Sequence, residues 1–399
     1  LLAAAEKLEA KDDRTFTLDF KKPFGMVLDA FSKPSSIPLF VMPEKVAQTD
    51  PFKQITDMTG SGPYMFAADR YRPGEKVVYL KNPYYVPRNE PADGTAGGKH
   101  VYVDELDWVI LRDAQTVANA IEKGEVDVVE MVPNEQYSVL KKTPDIQLLN
   151  QTGKQSAMLH LNHAIPPFNN PKIAQAALMA INQAALQRAQ IVHKELWNTC
   201  TSIYPCGSLY ASDKTDYFTG KPQFKRAQEL LKEAGYDGTP VVLMLPADMP
   251  SLNKYPPVMA ELLRRAGFKV DLQSMDWATL VTRRTKSSPV SEGGWNGFIT
   301  FWNQADTFNP LFFAPLTGSG LKGWFGWTDD PKLEALKDEF VGTSDLAKRK
   351  ELAEGIQLRV MDSGVYGMLG EAKPIIALRK NISGLVEAPI SVFWGLKKD

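Results

Sequence analysis

Between Asn170 and Trp302 the chain repeats helix and strand signals in turn, and this alternation constrains its fold more than any other feature. Asn170 followed by Pro171 reads as a helix start: an amide that can cap free N–H groups, then a residue whose missing N–H costs nothing at the first helical position. Ile173, Ala177, Ile181 and Ala184 then keep one face apolar. A second helix begins near Pro222, carries Phe224, Ala227, Leu230, Leu231 and Ala234, and ends at Gly235; Pro240 to Leu245 follows as a strand. The pattern recurs with a helix from about Pro256 to Gly267 and a strand from Phe268 to Gln273. It recurs again with a helix from Trp277 to Thr285 and a strand from Gly297 to Trp302. Strands separated by helices imply crossover units on a mostly parallel sheet, because parallel neighbours are reached only by a connection over one face. Two further helices are predicted, one opened by Asp330-Pro331 with Leu333, Leu336 and Phe340 inward, the other capped by Ser344 and running through Met361.

The flanks have a different texture. Thr15 to Phe20, Lys76 to Leu80 and Leu106 to Leu111 alternate apolar and polar residues with period two, as half-buried strands do. Pro87 to Lys99 reads as an exposed loop, Ala114 to Lys123 as a helix closed by Gly124, and Val126 to Val129 as a strand. The tail, Ile375 to Arg379 and Ile390 to Trp394, reads as strand again. Strand-rich ends around an alternating centre predict two lobes: residues 1–157 with 375–399 as one, and 158–374 as the other. Two hinge crossings are expected, near Ser156 to Asn162 and Gly370 to Ile376, with a cleft between the lobes. A length of 399 residues fits two cores better than one.

Composition narrows the function. A formal net charge of -1, with no dense basic run, argues against a nucleic-acid partner. No apolar stretch reaches the length of a bilayer-spanning helix. The opening Leu1-Leu2-Ala3-Ala4-Ala5 is too short for a signal core, so any export signal is expected to have been removed or to lie upstream. Cys200 and Cys206 bound a short loop that ends in the turn Pro205-Cys206-Gly207, compatible either with two thiols or with a local disulfide. A bridge over so short a loop would stabilise by about 2 kcal/mol and would favour an oxidising compartment.

In a parallel α/β sheet, ligands bind beyond the carboxyl ends of the strands. Those ends carry Pro246, Asp248 and then Tyr255 after the first strand, Ser274, Asp276 and Trp277 after the second, and Phe301, Trp302, Asn303, Gln304 and Asp306 after the third. Aromatic faces mixed with carboxylates and amides suit a polar organic solute bearing a positive group. Rings are densest from Trp295 to Trp327, with Trp302 and Trp324 among them, and for any one of them a core role is the competing reading. Trp302 stands apart, because it ends a strand beside Asn303 and Asp306. For Asp306 the competing reading is a cap or turn before Asn309-Pro310. Trp302→Ala and Asp306→Asn are each expected to weaken binding at least tenfold with little change in the unligated melting temperature.

Catalytic signatures are missing. Gly98-Lys99 lacks the upstream glycine and the Ser or Thr of a phosphate loop. His160 and His163, three apart on a strand, face opposite sides and make a poor metal pair. No metal site, cofactor or enzymatic activity is expected.

Six segments, in order, complete the reading: Gly60-Ser-Gly-Pro-Tyr64, Lys81-Asn-Pro-Tyr84, Ala120 to Asp127, Pro167-Phe168 leading into Pro171 to Leu178, Ala227 to Gly235, and Val392-Phe-Trp394. Together they resemble the family 5 extracellular solute-binding proteins, the dipeptide, oligopeptide, nickel and opine receptors of ABC importers. The resemblance implies a hinged two-lobe periplasmic-binding-protein fold, a monomer that closes on a small solute or peptide, and a membrane permease as partner. It implies a periplasmic or membrane-tethered location, a paired-cysteine loop at Cys200 and Cys206, and Asp306 as the anchor of a ligand ammonium. Where the family's dipeptide receptors place a carboxylate-binding arginine, this chain has Asn253-Lys254-Tyr255, and Lys254 offers a point charge in place of a fork. The opening strands of the first lobe are expected to be absent from this sequence. The same fold also serves as a ligand-sensing module of cytoplasmic regulators, an alternative that the upstream sequence would decide.

Overall fold

A computed structural model describes residues 4–33, 38–50, 53–150 and 153–399, so Leu1 to Ala3 of the opening run lie outside it. The chain divides into two compact units, one of residues 1–33 with 154–372, the other of 34–153 with 373–399. It passes between them after Lys33, Gly153 and Ala372, one passage more than the two expected. The additional one arises because residues 4–33 join the alternating region, whereas 1–157 were expected to stay together. Their Ala5–Asp12 and Thr15–Phe20 strands pair antiparallel. The short stretch after this hairpin docks on the Pro331–Gly342 and Leu346–Ser363 helices. Met26 is fully buried in the large core, the Gly25 N–H donates to Val341 O at 2.8 Å, and Arg349 Nη2 donates to Gly25 O at 2.7 Å.

The first unit is built on a six-stranded sheet. Its strands run in the order Val270–Met275, Val241–Pro246, Gly297–Asn303, Gln155–Leu161, Tyr366–Ala372, Trp197–Asn198. The first three are parallel, joined by the Tyr255–Arg265 and Trp277–Arg283 helices as the alternation predicts. The remaining pairings are antiparallel, so only half of the sheet is parallel. The reason is visible in Gln155–Leu161. Six of its seven residues are buried, and a strand covered on both faces reads the same whichever way its neighbours run.

Local signals set the helices. Asn170 Oδ1 accepts from the Lys172 N–H at 3.0 Å, with Pro171 in the first turn. Asp330 caps Pro331–Gly342 by accepting from Lys332 and Leu333. The 18-residue helix Leu346–Ser363 is capped by Asp345, one residue beyond the expected Ser344, because its longer-reaching carboxylate accepts from the Lys348 N–H at 2.7 Å.

The second unit holds two three-stranded antiparallel sheets: Tyr64–Phe66, Lys76–Lys81 and Glu105–Val109, and Val128–Val129, Ile375–Arg379 and Ile146–Asn150. In the second of these sheets Ile375–Arg379 pairs with both Val128–Val129 and Ile146–Asn150. Ile390 to Trp394, expected as a strand, is irregular. It is held instead by single contacts such as Tyr64 Oη donating to Phe393 O at 2.9 Å. No helix among the described residues is long and apolar enough to cross a membrane.

Candidate ligand-binding site

The carboxyl ends of the three parallel strands lie on one edge of the sheet. They are followed there by Ala247 and Asp248, by Asp276, and by Gln304. Two of the acidic residues serve the backbone. Asp276 caps the Trp277–Arg283 helix by accepting from Thr279 N at 2.9 Å, and Asp248 Oδ1 accepts from Trp277 N at 2.7 Å, tying the first two loops together.

Register builds the aromatic surface. Phe298 and Tyr366 both pair with His160 from opposite sides, so the three side chains share one face of the sheet. The His160 ring stacks on Phe298 at 4.9 Å and lies 6.0 Å from Tyr366. Two pleats along, on the same face, Trp302 Nε1 donates to His160 Nε2 at 3.3 Å and meets Phe313 and Trp324 edge-on at 5.2 and 5.5 Å. Trp324 in turn sits 4.9 Å from His160 and 5.0 Å from Phe325. His160 is thus the hub of the cluster. Burial, reinforced by the positive charge of Arg284, pushes its pKa down to about 3, so the ring is neutral and its Nε2 is free to accept. Accepting at Nε2 places the remaining proton on Nδ1.

The expected site residues separate into two groups. Trp302, Asn303, Trp277 and Trp324 are half-buried and present part of their surface. Asn303 Oδ1 accepts from Gln155 Nε2 at 3.3 Å, which fixes the amide at the strand end. Asp306 is in the short Gln304–Thr307 helix that continues from the strand, and only 5% of it is exposed. The second group belongs to the interior. Trp295 is 0% exposed, wedged between Phe298 and Trp327, with Nε1 donating to Arg284 O. Tyr255 is 2% exposed and its hydroxyl donates to Gln187 Oε1 at 3.3 Å. A tyrosine at the first position of a helix packed against the sheet turns inward, so its ring offers no face to a solute. Lys254, just before it, has its backbone N–H bound to Gln190 Oε1 at 3.1 Å.

Cys200 and Cys206 form the disulfide, with Cα atoms 5.9 Å apart. The loop they close is anchored by Glu371, which is wholly buried. One carboxylate oxygen accepts from the Cys206 N–H at 2.7 Å; the other accepts from Asn198 Nδ2 at 2.7 Å and from Lys154 Nζ at 3.2 Å. Among the described residues, Cys200, Cys206 and Glu371 make the one grouping close enough to hold a metal ion, and both sulfurs are committed to each other.

Sequence reasoning weighed His160 only as half of a poor metal pair, and passed over Arg284 and Glu371. One signal was available for Arg284: it lies seven residues after Trp277, two helical turns along the same face.

The family model for bacterial extracellular solute-binding proteins, family 5 Middle, matches residues 2–324. A probable peptide ABC transporter periplasmic-binding protein of Sinorhizobium fredii is 34% identical over 405 aligned positions, covering 100% of this chain and 75% of the relative. Among solved structures, a dipeptide-binding protein from a Pseudoalteromonas species in complex with Met-Leu superposes with a TM-score of 0.79 at 21% identity, over 99% of this chain and 76% of that one. The protein AgaA from A. tumefacien, in complex with agropinic acid, gives 0.78 at 22% identity, over 100% and 78%. At such identities the two structures speak for the mixed α/β fold, which this chain shares with these periplasmic binding proteins. The family match and the full-length relative speak for descent: the chain belongs to the family 5 bacterial extracellular solute-binding proteins.

Proposed function

We propose that this protein captures a peptide outside the cytoplasm and hands it to the membrane permease of an ABC importer, acting as a monomer and without chemical turnover. One observation carries the reading. The carboxyl edge of the parallel strands presents Trp302, Trp324 and Trp277 partly exposed, with the Asn303 amide at the strand end and the Asp306 carboxyl three residues further on. Such a surface offers apolar area to side chains and an amide to a peptide backbone, with the Asp306 carboxyl buried just behind it, 5% exposed. The Sinorhizobium relative's description points to the same class of solute. We read the two compact units as the receptor's two lobes.

The test is a thermal-shift screen of di- to nonapeptides against opines, amines and sugars. Ligand at a hundredfold excess over Kd should add about 2.7 kcal/mol of stability by mass action. Mass spectrometry of the recovered peptide should find it intact. A screen in which opines or sugars shift the melting point and no peptide does would overturn the peptide assignment, and cleaved peptide would overturn the non-catalytic one.

A further inference from the structure

A buried polar group among rings needs a reason, and His160 has one. It is 2% exposed, and Phe298, Trp324, Tyr366 and Trp302 surround it with ring centroids 4.9, 4.9, 6.0 and 6.4 Å away. A phenylalanine would fill such a place without giving up hydration, whereas an imidazole loses its hydration and regains only what its nitrogens can bond. What Nε2 bonds is the Trp302 indole N–H, at 3.3 Å.

That indole is held differently from its counterparts. Trp295 Nε1 donates to a backbone carbonyl, that of Arg284, and the buried Nε1 atoms of Trp197 and Trp394 have no partner. Among the described residues, only Trp302 has its indole N–H bound by another side chain.

The register shows what the bond does. Trp302 pairs with Ser156, four residues from His160 along the neighbouring strand, or about 13 Å at about 3.3 Å per residue. A hydrogen bond across that gap forms only when both side chains lie along the sheet toward each other. The other contacts of Trp302, with Phe313 at 5.2 Å and Trp324 at 5.5 Å, are edge-on ring contacts. Such contacts hold an indole without dictating where its nitrogen points. The directed N–H bond makes that choice.

We infer that His160 is a positioning residue for the ligand surface: its Nε2 lays the Trp302 indole back along the sheet and so fixes the face that Trp302 turns to the solute. This rests on the aromatic surface at the strand ends being the ligand site, and it deepens that reading by naming a buried residue on which the shape of that surface depends. His160 is itself almost sealed from solvent, so its influence on a solute passes through Trp302.

Four variants test this: His160→Phe, which keeps a ring and loses the acceptor; His160→Gln, which puts an amide oxygen near the place of Nε2; Trp302→Phe; and the double variant His160→Phe/Trp302→Phe. Each is titrated calorimetrically with a tripeptide that binds the wild type. His160→Phe should weaken binding roughly tenfold and His160→Gln roughly twofold or less, and adding His160→Phe to Trp302→Phe should change the affinity by roughly twofold or less. A His160→Phe loss that persists undiminished in the Trp302→Phe background overturns the assignment. So does a His160→Gln loss as large as that of His160→Phe, or a His160→Phe protein that binds like the wild type. Protein labelled with nitrogen-15 at its indoles gives a readout without ligand. The Trp302 N–H signal, identified by its absence from Trp302→Phe, should exchange with deuterium roughly tenfold faster in His160→Phe than in the wild type or His160→Gln, and equal rates overturn the assignment. If no peptide binds the wild type, the peptide reading fails and the exchange rates alone decide the positioning. Far-ultraviolet dichroism and the melting point report whether each variant folds, and His160→Leu takes the place of His160→Phe in both measurements if that one does not.

Discussion

Replacing Glu371 by leucine removes a wholly buried carboxylate and strands three donors at once: the Cys206 N–H, Asn198 Nδ2 and Lys154 Nζ. Breaking one side of a buried, hydrogen-bonded ion pair costs about 3–5 kcal/mol, because the partner charge stays behind without compensation. Lys154 keeps 29% of its side chain exposed, so water recovers part of that loss and the lower end of the range, about 3 kcal/mol, is the better figure. For a body of about 250 residues this corresponds to a fall of about 6–12 °C in melting temperature. Glu371→Gln keeps an acceptor for Cys206 but turns an NH2 toward two other donors, and should lose about 2 kcal/mol. The comparison is Glu354→Gln, whose Lys214 partner is 72% exposed; a solvated pair of this kind contributes between 0 and about 1 kcal/mol. Differential scanning calorimetry of the three variants, with the disulfide intact, makes the measurement. Repeating it in a Cys200→Ser/Cys206→Ser background should give a smaller Glu371→Leu effect, since freeing the loop lets the Cys206 N–H find water. A Glu371→Leu protein that melts within 2 °C of wild type would refute the argument, because a carboxylate that can be deleted so cheaply is not holding the loop.

Three further outcomes are expected. Burial holds His160 neutral down to about pH 3 in the folded chain, whereas its unfolded counterpart titrates near 6.5, so the unfolded state binds the extra proton between those values and stability falls as pH drops below 6.5. The slope is about 1.4 kcal/mol per pH unit, so urea unfolding at pH 6.5 and 4.5 should show wild type losing roughly 2–3 kcal/mol more than His160→Gln; equal losses would count against it. Trp302 packs on Phe313 and Trp324 as well as binding His160, so Trp302→Ala should cost roughly 3 kcal/mol of unligated stability, more than the little change expected from the sequence alone. Asp306→Asn, of nearly the same shape, is the cleaner test of ligand binding and should raise the peptide Kd at least tenfold by calorimetry; an unchanged Kd removes Asp306 from the site.

Much of the fold was legible because its signals are local. Asp330-Pro331 writes its own cap, Gly124 stops its helix with a φ of 76° that other residues adopt at a cost, and Cys200 and Cys206 are near enough in sequence to meet without help. The three parallel strands and their helices follow from period alone.

What the sequence could not settle is what depends on partners distant along the chain. Gln155–Leu161 looks the same in a parallel or an antiparallel setting, so the direction of half the sheet was decided by its neighbours. Trp295 and Trp302 are both tryptophans in one dense aromatic run, yet one is sealed in the core and the other keeps an open face, because burial is set by what packs above a side chain. Arg283 and Arg284 are identical letters side by side. A helix turns about 100° per residue, which points one guanidinium at carbonyl oxygens and leaves the other among rings, and only the folded chain distinguishes them.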